Sequence, residues 1–440
     1  MFPPDHAQRI TLAEEAHARP PESVRAPARA SYVAVLVDAD ERGRELAHIA
    51  ALCARHDIDP PAAGATHFRA QFGNLRLKWE RHGEFSGYTV IAPGDSTPPF
   101  RSSAAARLPE GWLAAVPGAT VAAVHAEVLA QQSLAEDGTL LADAFEGQVI
   151  GGEVADGAAV VHTDFLLHDG CTRFLLIDRS LTERQAGRTL QRLFEIEAYR
   201  ILALLALPIA RRQSPRVLAI ERALASFTDD IARGSPGSPG GTAAPAVGED
   251  EALLHELTRL AAEVESGLAA SQFRFGACEA YFGLVMRRIA ELREQRMPAV
   301  PTIEEFMARR FTPAVATCRS VQQRLAGLSE RVARASSLLS TRVDIARERQ
   351  TQALLASMDR RARLQLRLQQ TVEGLSVAAI VYYVAGLFGY LAKAASYAGL
   401  HVAPELAVGI ALPFIALAVV LMLRRARRHL AGPEHPTSSH

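Results

Sequence analysis

Two long apolar runs near the C-terminus constrain the fold of this chain more than any other feature of its sequence. The first, LSVAAIVYYVAGLFGYLA, covers residues 375–392, and the second, LAVGIALPFIALAVVLML, covers residues 406–423. Neither run holds an acidic or basic side chain, and a helix of this length rises by about 27 Å. That rise suits the hydrocarbon core of a bilayer, so the sequence predicts two transmembrane helices, paired as a hairpin, over residues 371–424.

Arginine clusters on both flanks favour this interpretation over the alternative, a hairpin buried in the core of a soluble protein. The clusters are Arg360, Arg361, Arg363 and Arg367 before the first run, and Arg424, Arg425, Arg427 and Arg428 after the second. The connecting segment 393–405 has Lys393 as its only lysine or arginine. Basic flanks stay on the cytoplasmic side, so we expect both termini in the cytoplasm and an outer loop that carries Lys393 and Glu405.

The composition argues against several functional classes. Lysine plus arginine equals aspartate plus glutamate, 48 against 48, so no basic field indicates a nucleic-acid partner. The four cysteines have no metal-ligand spacing and suit a reducing compartment. No Walker A, G-x-S-x-G or H-E-x-x-H motif occurs. The sequence therefore predicts a protein that is not an enzyme and that needs no cofactor and no metal ion.

The residues before the hairpin predict a cytoplasmic domain of α+β or mixed α/β class over residues 31–232, after an irregular arm over residues 1–30. Strand patterns cover residues 31–38, 66–92, 120–129 and 148–178, and helical patterns cover 41–56 and the segment from Ser180 or Thr182 towards Pro208. Within the last strand region, two Asp-Gly pairs, at 156–157 and 169–170, are strong hairpin signals. Strands followed by helices favour this class of domain.

A long helical region connects this domain to the hairpin. Residues 233–249, rich in Gly, Ser and Pro, predict a flexible linker. Helices are expected at 250–270, at 277–296 and from about 303 onward, so residues 250–370 form a helical stalk. Apolar residues alternate there at steps of four and three, which is typical of a coiled coil: Val321, Leu325, Leu328, Val332, Ala335 and Leu339. The basic segment 425–440 is then a cytoplasmic tail.

A polar stripe runs along the first predicted span. Its members lie seven residues apart and share one helix face: Gln369, Ser376, Tyr383 and Tyr390. Polar groups are costly in lipid unless they meet a partner or water, so this face should point into an assembly. Gly386 and Gly389 permit close approach of a neighbouring helix. Lining of a pore and contact between helices both remain open for this face.

Two groups of polar residues in the first domain are candidates for chemistry. His162, Asp164 and His168 alternate with apolar residues, but within one strand the two histidines are roughly 20 Å apart and cannot share a metal ion. We expect their face to be solvated. On the strand 75–82, Lys78 and Arg81, together with His17 and Arg19 from the arm, form an anion-contact site if the arm folds over the sheet. An exposed polar strand face is the alternative.

Several strings in the chain resemble a bacterial family of uncharacterised membrane-anchored proteins, domain of unknown function 3422. They are HARPPE at 17–22, LRLKWERHGEFSGYT at 75–89, and the segment 342–387, which begins with RVDIARERQ. This resemblance implies the bacterial inner membrane and no established activity. The overall layout also resembles CorA-type magnesium channels, and APEL at 403–406 is similar to the loop of that family. The Gly-Met-Asn signature of those channels is absent here.

These observations together predict an oligomeric inner-membrane protein of unknown biochemical activity. Its function is expected to be that of a sensing or interaction scaffold with a large cytoplasmic domain. The alternative is a CorA-like ion channel or transporter of unknown ion. The expected partners are the lipid bilayer, further copies of the chain, and an ion or small anionic ligand.

Overall fold

The computed structural model of the protein describes residues 3–9, 20–96, 98–131, 140–233, 247–397 and 404–430. The chain divides into two compact units, Met1–Leu339 and Ser340–His440. The strands are β1 Ala28–Leu36, β2 His67–Phe72, β3 Leu75–Arg81, β4 Phe85–Pro93, β5 Ala119–Ala130, β6 Ile150–Val154, β7 Ala159–Thr163, β8 Leu167–His168 and β9 Cys171–Asp178. The helices are α1 Arg42–Ala54, α2 Leu140–Ala144, α3 Glu183–Leu204, α4 Leu207–Arg233, α5 Val247–Leu292, α6 Ile303–Tyr397 and α7 Pro404–Leu430.

The described strands of the first unit form one nine-stranded sheet. Its order is β2-β3-β4-β1-β5-β9-β7-β6, with β8 added beside β9. The pair β5 and β9 is parallel, and the other neighbours are antiparallel. A mixed sheet followed by helices confirms the predicted α+β class of this region.

Both Asp-Gly pairs form the turns that the sequence predicts. Asp156 and Gly157 have φ values of 59° and 84°, and Asp169 and Gly170 have 53° and 81°. In the second turn, two consecutive residues with positive φ match the right-handed twist of a hairpin, and Asp and Gly tolerate this conformation at low cost. In the first turn, Ala155 also has a positive φ, 53°, and the loop covers four residues, 155–158. These turns fix the register of β6 with β7 and of β8 with β9.

The two faces of the sheet pack against different parts of the chain. One face joins the largest buried cluster, which also holds the apolar sides of α3, α4, α5 and the first part of α6. The opposite face carries two smaller clusters, one with α1 and the Trp112 region, and one with α2 and Phe145. Period-two alternation explains the division, since Leu75, Leu77 and Trp79 all enter the α1 cluster.

The helix α3 begins directly after Thr182, one of the two residues at which the sequence predicts its start. Thr182 is the N-cap, its side chain accepts from the Gln185 backbone N–H, and the Gln185 side chain accepts from the Thr182 backbone N–H. This capping box satisfies backbone donors that the first helical turn leaves without partners. The apolar end of α3 is buried, with Leu202 and Ala203 at most 1% exposed. The apolar end of α3 therefore belongs to the core of the first unit.

The region 250–296 differs from its prediction, because one helix, α5, replaces the two that were expected. A glycine inside a helix costs about 1 kcal/mol relative to alanine, which is too little to end a well-packed helix. Gly267 and Gly276 are the glycines near the expected break, and Phe275 and Cys278 beside them enter the core. The burial of the Phe275 and Cys278 side chains stabilises α5 as one continuous helix across these glycines.

The seam of α6 at steps of four and three is buried inside the first unit. Val321, Leu325, Leu328, Val332 and Leu339 are each at most 3% exposed and belong to the same cluster as buried residues of α4 and α5. Ion pairs flank the seam, from Arg324 to Glu221 at 2.6 Å and from Arg319 to Glu279 at 2.8 Å. The partners of this seam are therefore helices of the same chain.

The second unit holds the rest of α6 and all of α7, so both apolar runs are helical. Two described helices are long and apolar enough to cross a membrane, with windows of mean hydropathy 1.8 in α6 and 2.0 in α7. Only 6% of the α6 window and 0% of the α7 window is buried. These helices consequently present their apolar side chains to the surroundings of the unit.

Candidate functional site

The first candidate site is the face of α6 that carries the polar stripe. Gln369, Ser376, Tyr383 and Tyr390 are all exposed, and each of the two tyrosines is 75% exposed. The Ser376 hydroxyl donates to the Val372 carbonyl one turn earlier, which satisfies its donor within the helix. The structure therefore places the stripe on one open side of α6.

The helix α7 packs near a different face of α6. Ala385 is 8% exposed, and Val377, Val381 and Gly389 at steps of four along the same face are half-buried. A Cβ added at Gly389 would lie 3.5 Å from Cγ2 of Val408 in α7, which is ordinary contact. At about 100° per residue, this face is roughly opposite to the polar stripe. The two glycines that the sequence predicted to permit close helix approach therefore differ. Gly389 lies beside α7, whereas a Cβ added at Gly386 would have no atom within 4 Å.

The predicted loop residues lie beside the end of the stripe. An open cleft of about 480 Å³ is lined by Gly386, Gly389, Tyr390 and Lys393 of α6 and by Glu405 and Val408 of α7. The structure thus brings together five of the eight residues that the sequence assigned to the helix face and outer loop. The other three, Gln369, Ser376 and Tyr383, lie earlier on α6 and do not line the cleft.

The second candidate site is the polar face of β3, which the sequence left open as a pocket or an exposed face. The structure corrects the idea of an exposed face, because Lys78 is 4% exposed and Glu80 is 7% exposed. Lys78 Nζ lies 2.8 Å from Glu80 Oε1. Two charges out of water need each other as partners, so this pair is an internal ion pair.

The helix α3 and the segment before β1 cover this polar face. The Val24 N–H donates to the Glu183 carbonyl at 2.9 Å, at the start of α3. A Cβ at Gly187 would lie only 1.5 Å from the Glu22 carbonyl oxygen, so glycine is required for this close approach. The segment before β1 therefore packs against α3, a contact that no local sequence pattern indicates.

The cleft under this cover is narrow and its charges are paired. It has about 30 Å³ of space, against the roughly 300–1,000 Å³ of small-molecule pockets. Its carboxylates other than Glu80 also have cationic partners, Glu22 with Arg69 at 3.0 Å and Glu195 with Arg288. Burial raises the pKa of the Tyr32 hydroxyl, which also lines the cleft, so this hydroxyl stays protonated.

Of the predicted anion-contact residues, the structure describes Lys78 and Arg81, and it places them on opposite sides of the sheet. Lys78 faces the α3 side of the sheet, and Arg81, three residues further along β3, faces the other side by alternation. His17 and Arg19 lie outside the described residues. The anion contact stays a prediction.

The expectation of a solvated face at His162, Asp164 and His168 is wrong. All three are 5–6% exposed; His162 lies within β7, which ends at Thr163, and the chain then turns at Phe165, where φ is 53°. This turn brings His168 Nε2 to 2.8 Å from Asp164 Oδ2. Over the part of the chain that the structure describes, no group of three or more His, Cys, Asp or Glu side chains is placed to hold a metal ion.

A buried carboxylate on α1 was missed by the sequence analysis. Glu45 is fully buried, and its Oε1 accepts from Trp79 Nε1 at 2.9 Å and from the Tyr88 hydroxyl at 2.7 Å. Arg42 lies 3.3 Å from its other oxygen. Because every oxygen has a donor within the chain, this network stabilises the packing of α1 on the sheet. A helical pattern alone cannot show which of its polar residues is buried.

These features define a class of protein: a mixed-sheet unit and a unit of two exposed apolar helices, with the long helix α6 contributing to both. The chain belongs to the family described as Protein of unknown function (DUF3422), whose sequence model matches residues 4–430. The resemblance found in the sequence strings is therefore confirmed. No curated protein matches the chain. No solved structure matches it either.

Proposed function

We propose that this protein is an integral membrane protein of the bacterial inner membrane, anchored by the apolar runs of α6 and α7. Both termini are cytoplasmic, and the mixed-sheet unit acts as an oligomeric sensing or interaction scaffold at the membrane surface. The observation that carries the proposal is the near-complete exposure of both apolar windows, 6% and 0% buried.

The exposure supports a membrane span over the core helix of a soluble protein. A core helix passes the same test of length and hydropathy, but its apolar side chains are covered by the rest of the protein. Here Leu387, Leu391, Phe414 and Met422 are between 64% and 76% exposed. Apolar patches this extensive on a soluble surface cause aggregation, whereas hydrocarbon covers them at no cost.

The polar groups of the mixed-sheet unit support a scaffold more than a catalyst. The buried carboxylates Glu45, Glu80 and Glu127 each have partners within the chain. Glu127 accepts from the Phe100 N–H at 2.8 Å and thereby holds the loop between β4 and β5. Catalytic groups are usually left available to a substrate in a cleft, and these are engaged in holding the fold.

The test is the membrane association and topology of the full-length chain. Membranes from expressing cells are extracted with alkaline carbonate, and reporters at residue 430 and in the segment 398–403 are probed for access from each side. We expect the chain in the carbonate-resistant pellet, the first reporter cytoplasmic and the second external. Recovery of the chain in the carbonate supernatant, or an external reporter at residue 430, would refute the proposal.

A second candidate function, a CorA-like channel or transporter, is favoured by the exposed polar stripe and the cleft beside it. Tyr383 and Tyr390 would then line a water-filled path between copies. Purified protein in liposomes tests this, with flux of divalent cations and of anions measured for the wild type and for Tyr383→Ala and Tyr390→Ala. Absence of flux for every ion would eliminate this candidate and leave the scaffold intact.

A further inference from the structure

The polar stripe is the end of a longer line of exposed residues on α6. The same heptad interval continues towards the N-terminus through Ala362 and Leu355, and a second row runs beside it three residues further along. We define the heptad stripe as both rows together: Leu355, Met358, Ala362, Gln365, Gln369, Val372, Ser376, Ala379, Tyr383, Gly386 and Tyr390. Every member is exposed, including Leu355 at 60%, Met358 at 67% and Val372 at 57%. Heptad spacing of this kind is typical of the seam of a helical assembly.

Lipid cannot cover the N-terminal half of the heptad stripe. Leu355 and Met358 lie roughly 25–30 Å along the helix from Leu375, where the apolar run begins, and this exceeds the thickness of a headgroup layer. The helix is continuous across this distance, so the segment projects from the bilayer and does not lie on its surface. Arg360, Arg361, Arg363 and Arg367 keep the same segment in water or among headgroups. A protein surface is needed to cover these apolar side chains.

Lipid is also a poor cover for the C-terminal half. Tyr383 and Tyr390 place hydroxyl groups within the apolar run, and polar groups in hydrocarbon favour contact with another helix. The helix α7 packs near the face of Ala385 and Gly389, so it does not cover these residues. One occupant must therefore follow the stripe from water into the bilayer.

The geometry points to α6 of further copies of this chain, in parallel orientation, as that occupant. This inference rests on the proposed function, because a shared membrane topology is what makes the copies parallel. In a parallel assembly, each residue of the stripe faces the same residue of the other copies. Leu355, Met358 and Ala362 then pack against their counterparts outside the bilayer. Gln365, Gln369 and Ser376 likewise meet side chains that hydrogen-bond with them.

The width of the apolar surface indicates more than two copies. A two-stranded coiled coil needs apolar residues only in the two rows of its seam. Here exposed leucines also flank the seam on both sides: Leu354, Leu368 and Leu375 on one side and Leu366 on the other, at 59–75% exposure. Each position of the stripe exposes on the order of 70–80 Å² of surface, so burial of the stripe alone removes roughly 800 Å² of accessible surface from each copy, which is the size of a specific interface. The flanking leucines are buried only in an assembly of three or more helices.

Cross-linking of the full-length protein in membranes tests the inference with two matched alanines. Ala362 lies in the heptad stripe, and Ala353, also exposed, lies about 180° away on the same helix. Single variants Ala362→Cys and Ala353→Cys are treated with a mild thiol oxidant and separated without reductant. The wild type supplies the background, since its four cysteines all lie within the first unit. We expect at least tenfold more cross-linked chain for Ala362→Cys than for Ala353→Cys.

The mass of the purified complex in detergent completes the test. A mass of three or more chains, reduced by Leu355→Glu with Met358→Glu, is the expected result. Equal cross-linking at the two alanines, or a monomeric or dimeric mass, would overturn the inference. Carbonate extraction of the same samples separates the two proposals. A monomer in the membrane pellet contradicts this inference and the oligomeric state but leaves the membrane anchoring intact, whereas a chain in the supernatant contradicts the membrane anchoring itself.

Discussion

The membrane proposal predicts a large effect for one arginine in the middle of α7. Leu417 lies near the centre of the apolar window Val408–Arg425 and is 57% exposed. On insertion scales, arginine at a helix centre costs about 2.5–3.5 kcal/mol and leucine gains about 0.3–0.6 kcal/mol. The substitution Leu417→Arg therefore disfavours insertion by about 3–4 kcal/mol, or roughly 10²–10³ in the insertion equilibrium. If this surface were in water, the same exchange would change stability by only about 0.5 kcal/mol.

The assay is carbonate extraction combined with access to a reporter at residue 430. We expect the fraction of chains that are both membrane-integrated and cytoplasmic at that reporter to fall several-fold in Leu417→Arg. The matched control is Leu218→Arg, since Leu218 is also a surface leucine, 41% exposed, on α4 of the first unit. This control should integrate as the wild type does. Wild-type integration and topology in Leu417→Arg, or an equal loss in both variants, would show that the reasoning is wrong.

Three further predictions concern the stability of the mixed-sheet unit in the full-length protein. Glu45→Ala leaves the buried donors of Trp79 and Tyr88 without an acceptor, at about 1–3 kcal/mol each, so thermal unfolding should occur roughly 10 °C lower. Glu45→Gln keeps an acceptor and should lose less, and an alanine variant as stable as the wild type would contradict this role. Thr182→Ala removes the cap of α3 and should cost about 1 kcal/mol in denaturant unfolding, while Thr182→Ser should retain most of it. Burial lowers the pKa of His162 from 6.5 to about 4. The unfolded chain therefore takes up this proton first, and the stabilisation present above pH 6.5 is lost as the pH falls towards 4. His162→Gln should flatten this part of the profile of unfolding free energy against pH, and an unchanged slope would argue against a buried neutral imidazole.

Local patterns predicted the elements of this protein well. The alternation of Leu75, Leu77 and Trp79 with polar residues is enough to place these three side chains on one side of β3, because strand geometry alone decides which side chains share a face. The Asp-Gly turns and the Thr182 cap were predictable for the same reason, since each depends on a few neighbouring residues. The helical character of both apolar runs also follows from composition.

The environment of the polar residues could not be predicted in this way. Lys78 and Glu80 form a polar strand face that is as compatible with water as with a covering helix, and only the position of α3 decided that they are buried. His162 and Asp164 were assigned to a solvated face because a single strand was assumed through Phe165. The turn at Phe165 depends on contacts with distant segments, such as the stacking of its ring on Phe306 at 4.8 Å.

The sequence by itself determined the order of strands and helices, the two apolar runs and the family of the chain, because each is written in neighbouring or regularly spaced residues. The tertiary structure decided which surfaces are covered. It buried the seam of Val321 and Leu325 against helices of the same chain and left the stripe from Leu355 to Tyr390 exposed on the same helix. The two stretches have similar heptad spacing, so spacing could not distinguish them. The physical reason is that burial depends on what packs nearby, and α4 and α5 pack against the first stretch.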